Sequence, residues 1–174
     1  DLYDGPAYVA PRAGVVRVVV GEREVSAGLV PPRVTGTSKA TVDGQTFPGT
    51  AVNCGNPHLV CTGLPAEELS SLDLTRPPGY PADAFPAGVN VEFVTRLAAT
   101  HVRMRVYERG SGETMSCGSG ACAVAAVTLS EAGMTAGEVV VDVPGGRLTV
   151  TLDAGTCTLT GPAVIVATGD YLLL

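Results

Sequence analysis

The stretch YERGSGETMSCGSGACAVAAV, residues 107–127, sets a Glu108–Arg109 pair and Cys117 ahead of a glycine-rich turn and a small-residue apolar run. Gly118, Ser119 and Gly120 suit a tight turn, and the run after them reads as a helix over about 119–132 that Gly133 ends. A cysteine just before a helix start sits where backbone N–H groups point outward toward anions and where a thiol pKa is lowered. The pattern predicts a reactive thiolate beside a carboxylate-binding site. Two further clusters put polar groups into apolar surroundings. VNCGNPHLV, residues 52–60, places Asn56 and His58 around Pro57 at a strand start, and GVNVEF, residues 88–93, sets Asn90 between apolar neighbours.

Taken singly, each cluster has a plain reading. A histidine after proline is more often a hydrogen-bonded structural residue than a reactive one. Asn90 can cap a turn, and Glu108 with Arg109 can be an exposed pair of little energetic worth. Cys54, Cys61 and Cys157 lie in strand-like runs and Cys122 inside the apolar helix, so all four read as small buried hydrophobes.

The elements that must position these residues are mostly short β-runs punctuated by Gly and Pro. Residues 14–20 and 23–30 read as a hairpin, and residues 39–54 as two strands around an Asp-Gly turn. Residues 57–63 continue as a buried strand. Pro65 and two glutamates open a helix over 65–76. Residues 88–97 and 101–110 alternate and read as paired strands; after the second helix, 137–169 reads as three or four antiparallel strands. The fold class is therefore α+β, a mostly antiparallel, mixed sheet around a central helix whose small apolar residues occupy nearly every face.

Composition narrows the function. At 174 residues with 45% apolar and 16% charged residues, the chain can build one domain with a core. Its formal charge of −6 and lack of a basic stripe argue against nucleic acid and anionic membrane as partners. No apolar run approaches the roughly 20 residues that span a bilayer, and the opening DLYDGPAY lacks the charge and apolar pattern of a secretion signal. The first residue is Asp, so a piece of a longer protein is expected. Five irregularly spaced cysteines argue against a disulfide framework, and none is followed by the second pair that a zinc site needs.

In order and spacing, GNPHLV (55–60), FPAGVNVEF (85–93) and ERGSGETMSCGSGACA (108–123) resemble the second half of diaminopimelate epimerase. The likeness runs over nearly the whole chain and is weakest in the first dozen residues. It implies an epimerase-like domain over 1–162 and a C-terminal strand, 163–174, that returns to an N-terminal domain absent from this chain. It also implies a homodimeric, cytoplasmic enzyme acting on a small amino acid. The reaction would be cofactor-independent epimerisation of L,L-2,6-diaminopimelate to the meso form, in lysine and peptidoglycan precursor biosynthesis. Two cysteines act on opposite faces of the α-carbon, with no metal and no pyridoxal phosphate.

By that resemblance Cys117 is one of the pair and Glu108, which also meets the substrate, is the carboxylate that tunes it. His58 is the partner of the other cysteine. Asn56, Asn90 and Arg109 would hold the distal amino-acid group, and the N–H groups of Gly118 and Ser119 the reacting carboxylate. The residue chemistry agrees: an α-proton is weakly acidic, so charge must gather on the carboxylate, where aimed N–H donors stabilise it. Arg109 offers a planar fork for a carboxylate. The family carries its other cysteine in a CGNG-type motif, and none precedes residue 54 here. The chain is thus expected to be inactive without its first half. SAGL at 26–29 stands where the family has VDMG-like residues, and Met115 where it often has Arg. The alternatives are a proline racemase-like or phenazine-pathway-like isomerase of the same fold, which share the bare Cys-Gly-Ser-Gly motif, or a non-catalytic carboxylate-binding fragment. GNPH and Asn90 count against the two isomerases.

Overall fold

Gly and Pro punctuation divides the chain into strands much as its alternation suggests. The computed structural model describes residues 5–9 and 15–169, and everything below concerns those residues. Strands β1 (Gly5–Val9), β2 (Val16–Val20) and β3 (Glu24–Leu29) pair in antiparallel sequence, the expected hairpin setting Val18 opposite Ala27. Strands β4 (Arg33–Val42) and β5 (Gln45–Asn53) meet at Asp43-Gly44, whose φ angles of 47° and 82° are the left-handed pair that a tight hairpin needs. After β6 (Pro57–Cys61) comes α1 (Ala66–Ser71), shorter than the helix expected over 65–76. The Asp73 carboxylate accepts from the backbone N–H and hydroxyl of Thr75, a local turn that competes with further helix.

Strands β7 (Asn90–Ala98), β8 (His101–Glu108) and β9 (Gly112–Thr114) lead to α2 (Gly118–Glu131). Cys117 caps α2, and Gly133, at φ 72°, follows its last turn. Three antiparallel strands complete the order: β10 (Gly137–Val143), β11 (Gly146–Asp153) and β12 (Thr156–Pro162). One sheet runs β1-β2-β3-β12-β11-β10-β8-β7-β6-β5-β4, with β9 on β8. The β6–β7 and β8–β10 pairs are parallel and are joined through α1 and α2, as parallel neighbours require.

Helix α2 explains the curl of the sheet. It touches β10, β11 and β12 on one flank and β4 through β7 on the other. Ala123, Val124 and Ala125 point about 100° apart around its axis, and all three are fully buried. The mixed sheet therefore wraps a central apolar helix, as the sequence leads one to expect. No helix among the described residues is long and apolar enough to cross a membrane.

The alternation expected for β7 is not what burial shows. Asn90 through Thr95 are all buried, because a second core covers the face of the sheet away from α2. There Phe93 meets Phe47 edge-on at 5.3 Å, packed with Leu59, Leu69, Leu74 and Phe85. Successive strand residues still point to opposite faces. Val60, Val94, Met104 and Val106 pack with α2, while Leu59, Val91 and Phe93 face the second core.

The expected strand over 163–174 is not formed over 163–169. Strand β12 ends at Pro162, opposite Glu24 where β3 begins, so its neighbour stops there, and Val164, Ile165 and Val166 are exposed. Residues 170–174, with Tyr171, Leu172, Leu173 and Leu174, lie outside the described residues.

Enclosure of α2 from both flanks, with Ala123 and Ala125 fully buried, leads to a stability prediction. Ala123→Leu and Ala125→Leu should each lower the free energy of urea unfolding by roughly 1–3 kcal/mol, the usual cost of overpacking. A neutral result at either position would mean that one face of α2 is open.

Candidate active site

The parity of the strands gathers the polar residues. His58 in β6 and Glu92 in β7 share the face that carries Val60, Val94 and Val106 toward α2, and both are fully buried. His58 lies beside Asn90 in the parallel β6–β7 register, and Glu92 lies opposite Val106 across β7–β8. Glu108 closes β8, two residues beyond Val106. The N-terminus of α2 brings Cys117 to the same end of the sheet.

The side chains form a connected set. His58 Nδ1 lies 2.6 Å from Glu92 Oε1, and Nε2 lies 3.1 Å from the amide oxygen of Asn56. The Asn56 amide donates at 3.4 Å to Ser119 Oγ, which stands 3.7 Å from Cys117 Sγ. The Gly120 N–H donates to the same sulfur at 3.4 Å. Packing of α2 against β6 thus brings His58, Asn56, Ser119 and Cys117 to one place.

Glu108, Arg109 and Asn90 take less simple positions. Thr114 in β9 donates its hydroxyl to Glu108 Oε1 at 2.5 Å. Arg105 forks onto the Glu113 carboxylate and bonds the carbonyls of Leu69 and Leu72, tying β9 and the end of α1 to β8. Arg109 is exposed, and its guanidinium donates to the Ala87 carbonyl at 2.6 Å. Gly88 makes that path possible, since a Cβ there would stand 2.7 Å from Arg109 Cδ. Asn90 spends its amide on the chain itself: it donates to the Pro57 carbonyl at 3.1 Å and accepts the Arg109 backbone N–H at 2.9 Å. It pins the start of β6 to the end of β8, so in this structure both ends of its amide are committed to backbone.

One expectation is overturned. The helix start predicts a Cys117 thiol below its ordinary pKa, and the thiol is instead pushed up to about 11. Burial is the main cause; the Gly120 N–H and Ser119 hydroxyl act against it, and the nearby Glu92 and Glu108 carboxylates add to the rise. A helix start favours a thiolate only where desolvation is small, and Cys117 is 6% exposed. Glu108 does therefore lie near enough to bear on this thiol, in the direction of holding its proton.

The other cysteines are free and buried. Burial pushes the Cys54 and Cys61 thiols up to about 12. A hydrogen bond between Cys122 and Cys157 drives the first up and the second down. Among the described residues, no three His, Cys, Asp or Glu side chains gather closely enough to hold a metal ion.

Sequence reasoning missed Glu92 and Thr114. A glutamate two residues after Asn90 inside an apolar run is itself a signal, since an acid in a fully buried position requires a partner. Nothing local marks Thr114, because its contact with Glu108 depends on β9 folding back onto β8.

Comparison with known proteins gives the family of the chain. Residues 50–172 match the family model described as diaminopimelate epimerase. The diaminopimelate epimerase of Rhodococcus opacus is 48% identical over 169 residues, which cover 93% of this chain and 58% of that protein. That of Corynebacterium aurimucosum is 48% identical over 172 residues, 95% of this chain and 62% of its own length. Among solved structures, a hydroxyproline epimerase from Agrobacterium vitis superposes with a TM-score of 0.64 at 18% identity, covering 93% of this chain and 58% of that one. A Bacillus anthracis phenazine biosynthesis protein of the PhzF family gives 0.64 at 14% identity, covering 98% and 70%. At such identities these two structures speak for the fold alone. The match across most of the chain, with the Cys117 cap and the GNPH segment inside it, means that this chain belongs to the diaminopimelate epimerase family.

Proposed function

We propose that this chain is the C-terminal part of a cofactor-independent epimerase that converts L,L-2,6-diaminopimelate to the meso form, in lysine and peptidoglycan precursor biosynthesis. The observation that carries the reading is the buried Cys117 sulfur capping the start of α2, beside the His58–Asn56–Ser119 chain. The chain spans 58% of the Rhodococcus opacus relative, so the remaining residues of the enzyme are its first partner. A second copy of the chain is the other partner, by the family resemblance. The segment 163–174 is read as the strand that completes the missing half, which gives the exposed Val164, Ile165 and Val166 a place to bury.

The chemistry follows from the thiol's proton. The thiolate supplied by the other half takes the α-proton from one face, and electrons move from the C–H bond onto the substrate carboxylate. Gly118 and Ser119 lie in the first turn of α2, where no preceding carbonyl is placed to accept their N–H groups, so those groups can meet the growing negative charge. Cys117 then gives its S–H proton to the opposite face, and the configuration inverts. Exchange of protons between the two sulfurs and water resets the pair. A thiol pushed up to about 11 by burial carries its proton at neutral pH, so a hydrogen is present on the sulfur to be transferred, and in the reverse direction the same sulfur is the base. Arg109 and Asn56 are assigned to the distal end of the substrate, and Asn90 acts by holding the Arg109 backbone in place.

Two outcomes test this. The 174-residue chain alone should not epimerise L,L-diaminopimelate, and joining it to the first half of the Rhodococcus opacus relative should establish turnover. In that joined enzyme Cys117→Ser should lower kcat by about 10²–10⁴-fold, the usual contribution of a positioned acid or base. Turnover by the chain alone, or an active serine variant, would refute the assignment.

The pH dependence has a definite sign. A raised thiol pKa means that the folded state holds the proton more tightly, so alkylation of Cys117 should stay slow until well above the ordinary thiol value. At pH 8 its rate with iodoacetamide, followed by peptide mass mapping, should be about 100-fold below that of a free cysteine, because so much less of the thiol is ionised. Rapid labelling at pH 7 would contradict the burial argument.

A further inference from the structure

Glu92 is the one carboxylate of the site that the proposed mechanism leaves unused, and its surroundings are unusual. It is fully buried; one oxygen meets His58 at 2.6 Å and the other, Oε2, has no hydrogen-bond partner. It lies directly under the first turn of α2, since a Cβ on Gly120 would stand 2.7 Å from Glu92 Oε1 and 3.3 Å from Cys117 Sγ. Residue 120 thus has to be small for the carboxyl and the thiol to share this space.

We propose that Glu92 is a positioning residue of the active site. From beneath α2 it holds His58 by Nδ1, so that the ring keeps its Nε2 hydrogen turned toward Asn56 and the Cys117 end of the cleft.

The hydrogen-bond inventory supports this assignment. With the amide oxygen of Asn56 facing the ring, His58 Nε2 is the donor of that bond. The opposite nitrogen then shares one proton with Glu92 Oε1, whichever atom carries it. A carboxyl oriented in this way fixes which ring nitrogen faces the site. The other groups around Glu92 are the Glu108 carboxylate from β8 and the thiols of Cys54, Cys61 and Cys117. None of them is a cation, so His58 is its one basic partner among the described residues. Burial and Glu108 push the Glu92 carboxyl above the usual carboxylate range, while His58 opposes them; this agrees with a shared proton. Replacing a buried carboxyl by a space-filling group of equal size would keep the packing and lose this control.

The catalytic consequence rests on the epimerase reading, while the placement of His58 does not, and the test separates them. The chain has two histidines, so ¹⁵N–¹H correlation spectra of the 174-residue chain resolve His58 from His101. The native ring should show a protonated Nε2 and a single fixed tautomer. Glu92→Gln keeps the volume but meets Nδ1 either as donor or as acceptor, so His58 should become a mixture of both tautomers. Gly120→Ala, which pushes the carboxyl off the ring without changing either titratable group, should give the same mixture even if Glu92→Gln folds poorly. A native ring with a bare Nε2, or an unchanged spectrum in both variants, would overturn the proposal.

In the chain joined to the first half of a relative, Glu92→Gln should lower kcat about 10- to 100-fold, the worth of one hydrogen bond to a charged group. KM should stay within about twofold, and the same change in a His58→Gln background should cost less than about twofold more. An unaltered kcat, or full additivity with His58→Gln, would overturn the positioning role. If the joined enzyme with native residues fails to epimerise at all, the functional reading falls, and the His58 spectra alone decide where Glu92 holds the ring.

Discussion

Enclosure of α2 is the constraint on which the rest of the structure depends. A helix apolar over its whole circumference cannot lie on a surface, so the sheet must close around it from both flanks. That closure brings β12 and β4, far apart in sheet order, against one helix. It also sets the helix start at one end of the sheet, above the strand face that carries His58 and Glu92. The site exists because the core needs the helix inside.

The same burial decides the chemistry of the thiol. At an exposed helix start the outward N–H groups would dominate and favour a thiolate. At 6% exposure the loss of water dominates, and two carboxylates beyond the first turn reinforce it. Hydrogen bonds from Gly120 and Ser119 temper the rise without reversing it. In the reaction proposed above, this protonated sulfur supplies the hydrogen for one face, and a second group takes one from the other face. A sulfur fixed on one side of an α-carbon cannot reach its opposite face, which is why the family likeness to a longer protein matters to the reading.

Much of this was legible in the sequence because local chemistry dictated it. The Asp-Gly hairpin, the Cys117 cap, the end of α2 near Gly133 and the pairing of β7 with β8 each follow from residues close together in the chain. The Cys117, GNPH and Asn90 segments could be linked only through family likeness, since β6, β7 and α2 come together by long-range pairing. What escaped was set by layers that leave no local mark. The second core under α1 covers the face of β7 that α2 does not, so both faces are buried and the alternation is hidden. The short α1 depends on the turn at Asp73, and the thiol pKa depends on how completely α2 is covered. Asn90 reads as a ligand in isolation, yet its amide is committed to the backbone of Pro57 and Arg109.

The central claim is that Cys117 donates a proton to one face of the substrate α-carbon while another group removes the original hydrogen from the opposite face. The most direct measurement is a single turnover of L,L-diaminopimelate in D₂O by this chain joined to the first half of a relative, with deuterium located by mass spectrometry. The account predicts one deuterium at the inverted α-carbon of the meso product and none in the unreacted L,L substrate. Product that retains the substrate's own α-hydrogen would mean that one group serves both faces, and would contradict it.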